Sequence, residues 1–197
     1  MECQIYDDWI DEPYLHEFAL SIEKSTNWDF NNIANRKSWP YGQKGSHRLS
    51  GCNIFKRSSL NRVTNLHSDA SKFFDLYENI ESILNKKYYL SEIQLNLQHS
   101  GCDGSAHVDG IDFGQKTIML MTNSIWKKEW GGQFQIIDMN DNILEEYEYV
   151  PGRLIVFPAS CLHRGLGPNI EYPYVYRHTL VFRVCDIGKE DLYLEGK

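Results

Sequence analysis

The stretch Glu92-Ile-Gln-Leu-Asn-Leu-Gln98 narrows the possible folds more than any other part of this chain. Ile93, Leu95 and Leu97 alternate strictly with Gln94, Asn96 and Gln98. A period of two puts these sets on opposite faces of a strand. The apolar face must be buried. The polar face is either solvated or lines a cleft, where its amides could hydrogen-bond a ligand. Strand patterns continue at Thr117–Thr122, Gln133–Ile137, Arg153–Phe157 and Tyr176–Val184, with Met139-Asn-Asp-Asn142 as a turn. Two helical patterns precede them. Over residues 12–24, Asp11 can cap, Pro13 suits the first turn, and Leu15, Phe18, Ala19 and Ile22 form a stripe. Over 69–86, Phe73, Phe74, Leu76, Tyr77, Ile80, Ile83 and Leu84 recur at helical spacing, with Ser68 or Asp69 to cap. Residues 27–66, with Trp28 and Trp39-Pro-Tyr-Gly42, read as loops and short strands, including Cys52–Phe55. They form either an irregular connection or a lid over a site. Two helices followed by seven or eight strands predict a mainly β fold braced by α-helices. The 197 residues suit one domain, with helical support over about 1–90 and a β core over about 91–185.

Charge and cysteines exclude some functions. A net charge of −7 disfavours extended contact with a phosphate backbone. The five cysteines are odd in number and show no C-x-x-C spacing, which argues against a disulfide framework or a structural zinc site. Free thiols fit a reducing compartment. The acidic N-terminus lacks the apolar region of a signal peptide, and no apolar run approaches a membrane span. The expectation is a soluble cytoplasmic protein. Its oligomeric state cannot be read from these features.

The chemistry gathers around His107-Val-Asp109. In an extended segment, an imidazole and a carboxylate two residues apart point the same way. They supply two ligands for a divalent transition metal, and His163, after Pro151-Gly-Arg-Leu-Ile-Val-Phe-Pro158, has the setting for a third. Two His and one carboxylate on one octahedral face leave three positions open, as in non-haem Fe(II) oxygenases. A double-stranded β-helix, or cupin-like jelly roll, would bring the three to one mouth. On its own, H-x-D is a common tripeptide and carries little weight. His16, His47, His67 and His99 lack partners at ligand spacing, and His178 should point away from Arg177.

Four segments in order raise its weight. They are Ile93–Gly101 leading to His107-Val-Asp109, then Glu129-Trp-Gly-Gly-Gln-Phe134, then Pro151–Pro158 leading to His163-Arg164, then Arg177-His-Thr-Leu-Val-Phe182. From about Tyr89 to Val184 the chain resembles the Fe(II)- and 2-oxoglutarate-dependent dioxygenases, most of all their prolyl 4-hydroxylase-like branch. That resemblance implies Fe(II) held by His107, Asp109 and His163. It implies 2-oxoglutarate and O2 as co-substrates, with Arg177 and the Thr179 hydroxyl on the far carboxylate of 2-oxoglutarate. The reaction implied is hydroxylation of an aliphatic C–H, in a prolyl peptide or a small amino-acid-like metabolite, with release of succinate and CO2. The chain departs from the branch at Gln98 and at Met121-Thr-Asn123, where tyrosines are usual; Gln98, Asn96 or Thr179 can replace their contacts. The loop bearing Tyr172, Pro173 and Tyr174 looks enlarged and is expected to touch substrate.

Two other readings compete. Arg177-x-Thr179-x-Val181-x-Arg183 resembles the R-x-N-x-T-x-R pattern of alkylation-repair nucleic-acid demethylases at both arginines but not between them. A non-catalytic cupin-like binding module would keep the fold and show no turnover.

Overall fold

The computed structural model describes residues 3–24, 28–32, 49–58 and 61–186. Part of the expected lid, residues 33–48 with Trp39–Gly42 among them, lies outside the described residues, and much of the rest forms strands.

Helix α1 spans Glu12–Glu23. Asp11 caps it by accepting the Tyr14 N–H at 3.4 Å, and Pro13 sits in the first turn. The four stripe residues Leu15, Phe18, Ala19 and Ile22 are its buried ones. Helix α2 spans Ala70–Ile83 and buries Phe73, Leu76, Tyr77 and Ile80. Its expected side-chain cap does not form. Asp69 stands at the N-cap, but its side chain caps nothing, and its own N–H donates to His67 Nδ1 at 3.2 Å.

Eleven strands are described: β1 (Gln4–Tyr6), β2 (Asp29–Asn32), β3 (Leu49–Arg57), β4 (Val63–Leu66), β5 (Tyr88–His99), β6 (Gln115–Met121), β7 (Phe134–Ile137), β8 (Ile143–Tyr147), β9 (Leu154–Pro158), β10 (His163–Gly165) and β11 (Tyr176–Asp186). Seven of them follow α2, as the sequence pattern predicts. They form an antiparallel major sheet in the order β1-β9-β6-β11-β5-β3-β2, with β4 on β3, and a minor sheet in the order β10-β7-β8. The result is a jelly roll. Strands β1, β2, β3 and β4, all before residue 90, extend the major sheet beyond the β core read from sequence.

The long pairing of β5 with β11 decides what each face carries. Leu95 lies opposite Leu180, and Ile93 opposite Phe182. These four are fully buried and join the core that holds Ile118 and Leu120 with Phe18 and Ile22 of α1 and Phe73, Leu76, Tyr77 and Ile80 of α2. Each such side chain stabilises the fold by about 1.5–3 kcal/mol relative to exposure. On the other face, Gln98 lies opposite Arg177 and Asn96 opposite Thr179. These polar residues line a cavity of about 530 Å³, closed on one side by Phe134 and Phe157. The polar face of β5 therefore lines a cleft. All five cysteines are free thiols. Among the described residues, no helix is long and apolar enough to cross a membrane.

Candidate metal centre

The segment that carries His107 and Asp109 is a loop, not the strand the spacing predicted. The sheet partner that would extend it is replaced by a single bridge to β10: His107 N–H donates to the His163 carbonyl at 3.0 Å, and His163 N–H returns to the His107 carbonyl at 2.9 Å. Asp109 N–H is tied to the Ala159 carbonyl at 2.9 Å. Backbone contacts thus bring the His107–Asp109 loop to the start of β10, far along the chain.

One ligand-type atom from each of His107, Asp109 and His163 lies within 4.8 Å of the others. His107 Nε2 is 3.5 Å from Asp109 Oδ1, and His163 Nε2 is 3.6 Å from Asp109 Oδ2. The Nδ1 of His107 is 2.8 Å from the Ser105 carbonyl, and that of His163 is 2.9 Å from the Cys161 carbonyl. A carbonyl only accepts, so both Nδ1 atoms carry the proton. Both Nε2 lone pairs then face the carboxylate, which is how metal-binding imidazoles are held. Phe157 and Phe134 pack on the His163 ring at centroid distances of 4.8 and 5.5 Å. Burial, aided by nearby His107, pulls the pKa of His163 down to about 4, so its ring is neutral at physiological pH. Burial works against the charge of Asp109, but the imidazoles of His107 and His163 and the Arg183 guanidinium outweigh it. They hold the carboxyl well below its usual range. A neutral imidazole and an ionised carboxylate suit a hard-to-borderline divalent cation.

Thr117 and Arg183 hold the carboxylate from behind, and the sequence reading missed both roles. Thr117 Oγ1 donates to Asp109 Oδ2 at 2.7 Å, and Arg183 Nη2 donates to Asp109 Oδ1 at 3.0 Å. Arg183 also binds Glu92 at 2.9 Å, and Glu92 binds Lys56 at 3.1 Å, completing a chain of charges at the cavity wall. A signal for Arg183 was present: on β11 it shares a face with Arg177, Thr179 and Val181.

Arg177 is buried at 2% exposure in the same cavity. Its Nε donates to the Gly132 carbonyl at 2.9 Å and its Nη1 to Gln98 Oε1 at 2.6 Å. Its Nη2 is buried and has no partner, and no carboxylate pairs with it among the described residues. Burial pulls its pKa down to about 10, which still leaves it charged at neutral pH. An unpaired buried guanidinium costs several kcal/mol, and an anion in the cavity removes that cost. Glycines make the room. Gly132 has φ +80, and a Cβ there would come 2.8 Å from Trp126 and 3.3 Å from Arg177 Cδ; one at Gly165 would come 3.2 Å from Arg177 Nη1. The donor set therefore fits a divalent metal, and the orphaned guanidinium nearby fits a carboxylate.

The other predicted residues separate. Thr179 and Asn96 line the cavity. Gln98 is already engaged. It accepts from Arg177 and donates to the carbonyls of Cys102 (3.1 Å) and Gly165 (2.9 Å), so it aims the guanidinium. Tyr149, which the sequence reading passed over, lies 5.2 Å beneath Arg177 with its hydroxyl bound to Asn123 and the His178 carbonyl. The loop at Tyr172–Tyr174 was expected to touch substrate. Among the described residues, Tyr174 instead lines a different cavity on the back of β11, and none of the three lines the metal cavity.

No protein-family model matches the chain, and no curated protein matches it. Solved structures do. A 2OG-Fe(II) oxygenase family oxidoreductase from Burkholderia pseudomallei is similar at a TM-score of 0.68 and 12% identity, covering 93% of this chain and 84% of that one. A prolyl hydroxylase from Trichoplax adhaerens, solved in complex with a hypoxia inducible factor oxygen degradation domain peptide fragment, gives 0.67 and 14%, covering 99% and 87%. The non-heme alpha ketoglutarate dependent epimerase SnoN from nogalamycin biosynthesis gives 0.60 and 11%, covering 93% and 78%. The chain therefore has the jelly-roll fold of the 2-oxoglutarate and Fe(II) oxygenases, prolyl hydroxylases among them. At these identities the likeness speaks for the fold.

Proposed function

We propose that this chain is an Fe(II)- and 2-oxoglutarate-dependent dioxygenase that hydroxylates an aliphatic C–H, releasing succinate and CO2. The observation that carries the reading is one cavity holding both a His-Asp-His ligand face and an unpaired, buried arginine. His107, Asp109 and His163 are the Fe(II) ligands. Arg177 binds the far carboxylate of 2-oxoglutarate, Gln98 and the Gly132 carbonyl fix its orientation, and Thr179 and Asn96 add polar contacts. The iron, with 2-oxoglutarate and O2, supplies the oxidising chemistry; the protein positions and excludes water. Thr117 and Arg183 hold the Asp109 carboxylate so that its orientation survives when the ligand face is loaded. Phe134 and Phe157 keep the His163 side dry. The whole of residues 1–197 serves as one such domain.

The substrate is an aliphatic carbon in a prolyl peptide or a small amino-acid-like metabolite. A peptide-bound prolyl hydroxylase among the structural neighbours supports the first, and an epimerase among them makes the product a necessary measurement. The alkylation-repair reading keeps one observation: Arg177 and Arg183 both line the cavity. It requires salt-dependent binding to methylated oligonucleotides.

The test is anaerobic titration of the apo-protein with Fe(II) and 2-oxoglutarate. The visible charge-transfer band is expected in the native chain and lost in His107→Ala and His163→Ala. A folded, iron-binding native protein without the band would refute the reading and favour the non-catalytic cupin-like module. Product mass then separates hydroxylation (one added oxygen) from epimerisation.

A further inference from the structure

A second cavity, of about 430 Å³, lies on the back of the same strand pair. His178 and Leu97, which are register partners, form its floor, just as Arg177 and Gln98 line the metal cavity on the front. The two cavities share no lining residue. Its walls are aromatic: Trp28, Trp126, Trp130, Tyr174 and Tyr176. Trp126 and Trp130 meet at 83° with centroids 5.4 Å apart, making a two-walled corner. Trp28 lies over the His178 ring at 6.2 Å, on the floor.

Two polar features break this apolar lining. Glu23, at the end of α1, is the single charged residue among the described ones that line the cavity, and no cation pairs with it among the described residues. His178 is buried at 3% exposure, and its Nδ1 has no hydrogen-bond partner among the described residues. Burial pulls the ring's pKa down to about 4, so it is neutral and offers a lone pair or an N–H without opposing a cation.

Aromatic faces carry negative potential, and two or more around one point attract a soft, weakly hydrated cation. A carboxylate at the rim adds to this, and among the described residues that line the cavity none carries a positive charge. An anion would face Glu23 and the ring faces. A purely apolar ligand would leave both Glu23 and His178 Nδ1 unanswered. The geometry points to a binding site for an organic ammonium head, such as a methylated lysine side chain or a free methylated amine. This site is independent of the metal centre, and nothing in it requires that the dioxygenase reading hold.

The test uses the full chain and tetramethylammonium chloride as probe, with neopentyl alcohol, a neutral and water-soluble analogue with the same branched methyl head, as control. Binding is read from the indole N–H shifts of the tryptophans. Saturable binding of the ammonium, with the alcohol at least ~10-fold weaker, is the expected result. Tyr174→Ala and Glu23→Gln should each weaken the ammonium several-fold. Both residues are exposed, so neither change threatens the fold. Equal binding of alcohol and ammonium would overturn the proposal in favour of a plain apolar cleft, as would no saturable binding by the folded native chain. A dimethyl-lysine peptide binding ~10-fold tighter than free dimethyl-lysine would assign the ammonium to a protein tail, and equal binding to a small metabolite. Because the probe is read without iron or 2-oxoglutarate, its outcome is separate from the test of the dioxygenase reading.

Discussion

The two faces of the β5–β11 pair are built from alternate residues of the same strands, yet they solve opposite problems. The core half of the back face buries Ile93, Leu95, Leu180 and Phe182 against two helices, in one apolar cluster. The front face buries Arg177, Thr179 and Gln98 nearly as deeply but leaves Arg177 Nη2 without a partner. The back face holds the fold together. The front face stores an unmet demand for negative charge, sustained by the stability of the other side. Equal burial therefore does not mean equal role; what matters is whether burial is compensated.

That comparison can be broken most sharply on the back face. Phe182→Ala should destabilise the protein by about 3–5 kcal/mol in chemical denaturation. In whatever fraction stays folded, metal affinity should be unchanged; a loss of metal affinity in the folded fraction would show that the faces are not separable. On the front face, Arg177→Met should leave the fold intact but weaken 2-oxoglutarate, measured calorimetrically with a redox-silent metal, by about 2–4 kcal/mol. A variant that bound the co-substrate normally would remove Arg177 from the site.

The buried histidines sharpen the comparison through pH. His178 behind and His163 in front are both held neutral, with folded pKa values of about 4 against an ordinary 6.5. Between those values the unfolded chain binds a proton that the native chain does not. Stability is therefore fully present above pH 6.5 and lost as pH falls toward 4, with a slope of about 1.4 kcal/mol per pH unit for each histidine. His178→Gln should remove one of these contributions from the metal-free protein, seen as a shallower stability profile between pH 6.5 and 4. The smallest effect is expected for Thr179→Val: under about 1 kcal/mol on stability, and about 1 kcal/mol on 2-oxoglutarate affinity, the worth of one hydrogen bond.

Periodic features were legible in the sequence. The stripe Leu15, Phe18, Ala19 and Ile22 is the buried set of α1, because a helix of that length exposes its period directly. The alternation at Glu92–Gln98 located the strand and divided its faces. Which polar face found a cleft depended on the partner sheet, and a single strand carries no record of its partner. The His107–Asp109 segment was read as a strand because spacing alone cannot distinguish an extended loop pinned by one bridge from a paired strand. β10 has three residues and no period of its own; it exists because β7 pairs with it. The part Gln98 plays in aiming Arg177 was not legible, because its hydrogen bonds to Arg177, Cys102 and Gly165 join segments far apart in the chain.

The reciprocal backbone bridge between His107 and His163 also bears on the order of events in the protein's life. Bringing two distant segments together carries an entropy cost. Here two peptide hydrogen bonds stand ready to offset that cost, so the fold is expected to gather the ligands without a metal ion. Loading would then be a late, reversible step on a finished scaffold, unlike a zinc finger, whose chain stays unfolded until its ion arrives. A chelator should empty such a site and leave the polypeptide standing, ready to be refilled whenever the metal returns.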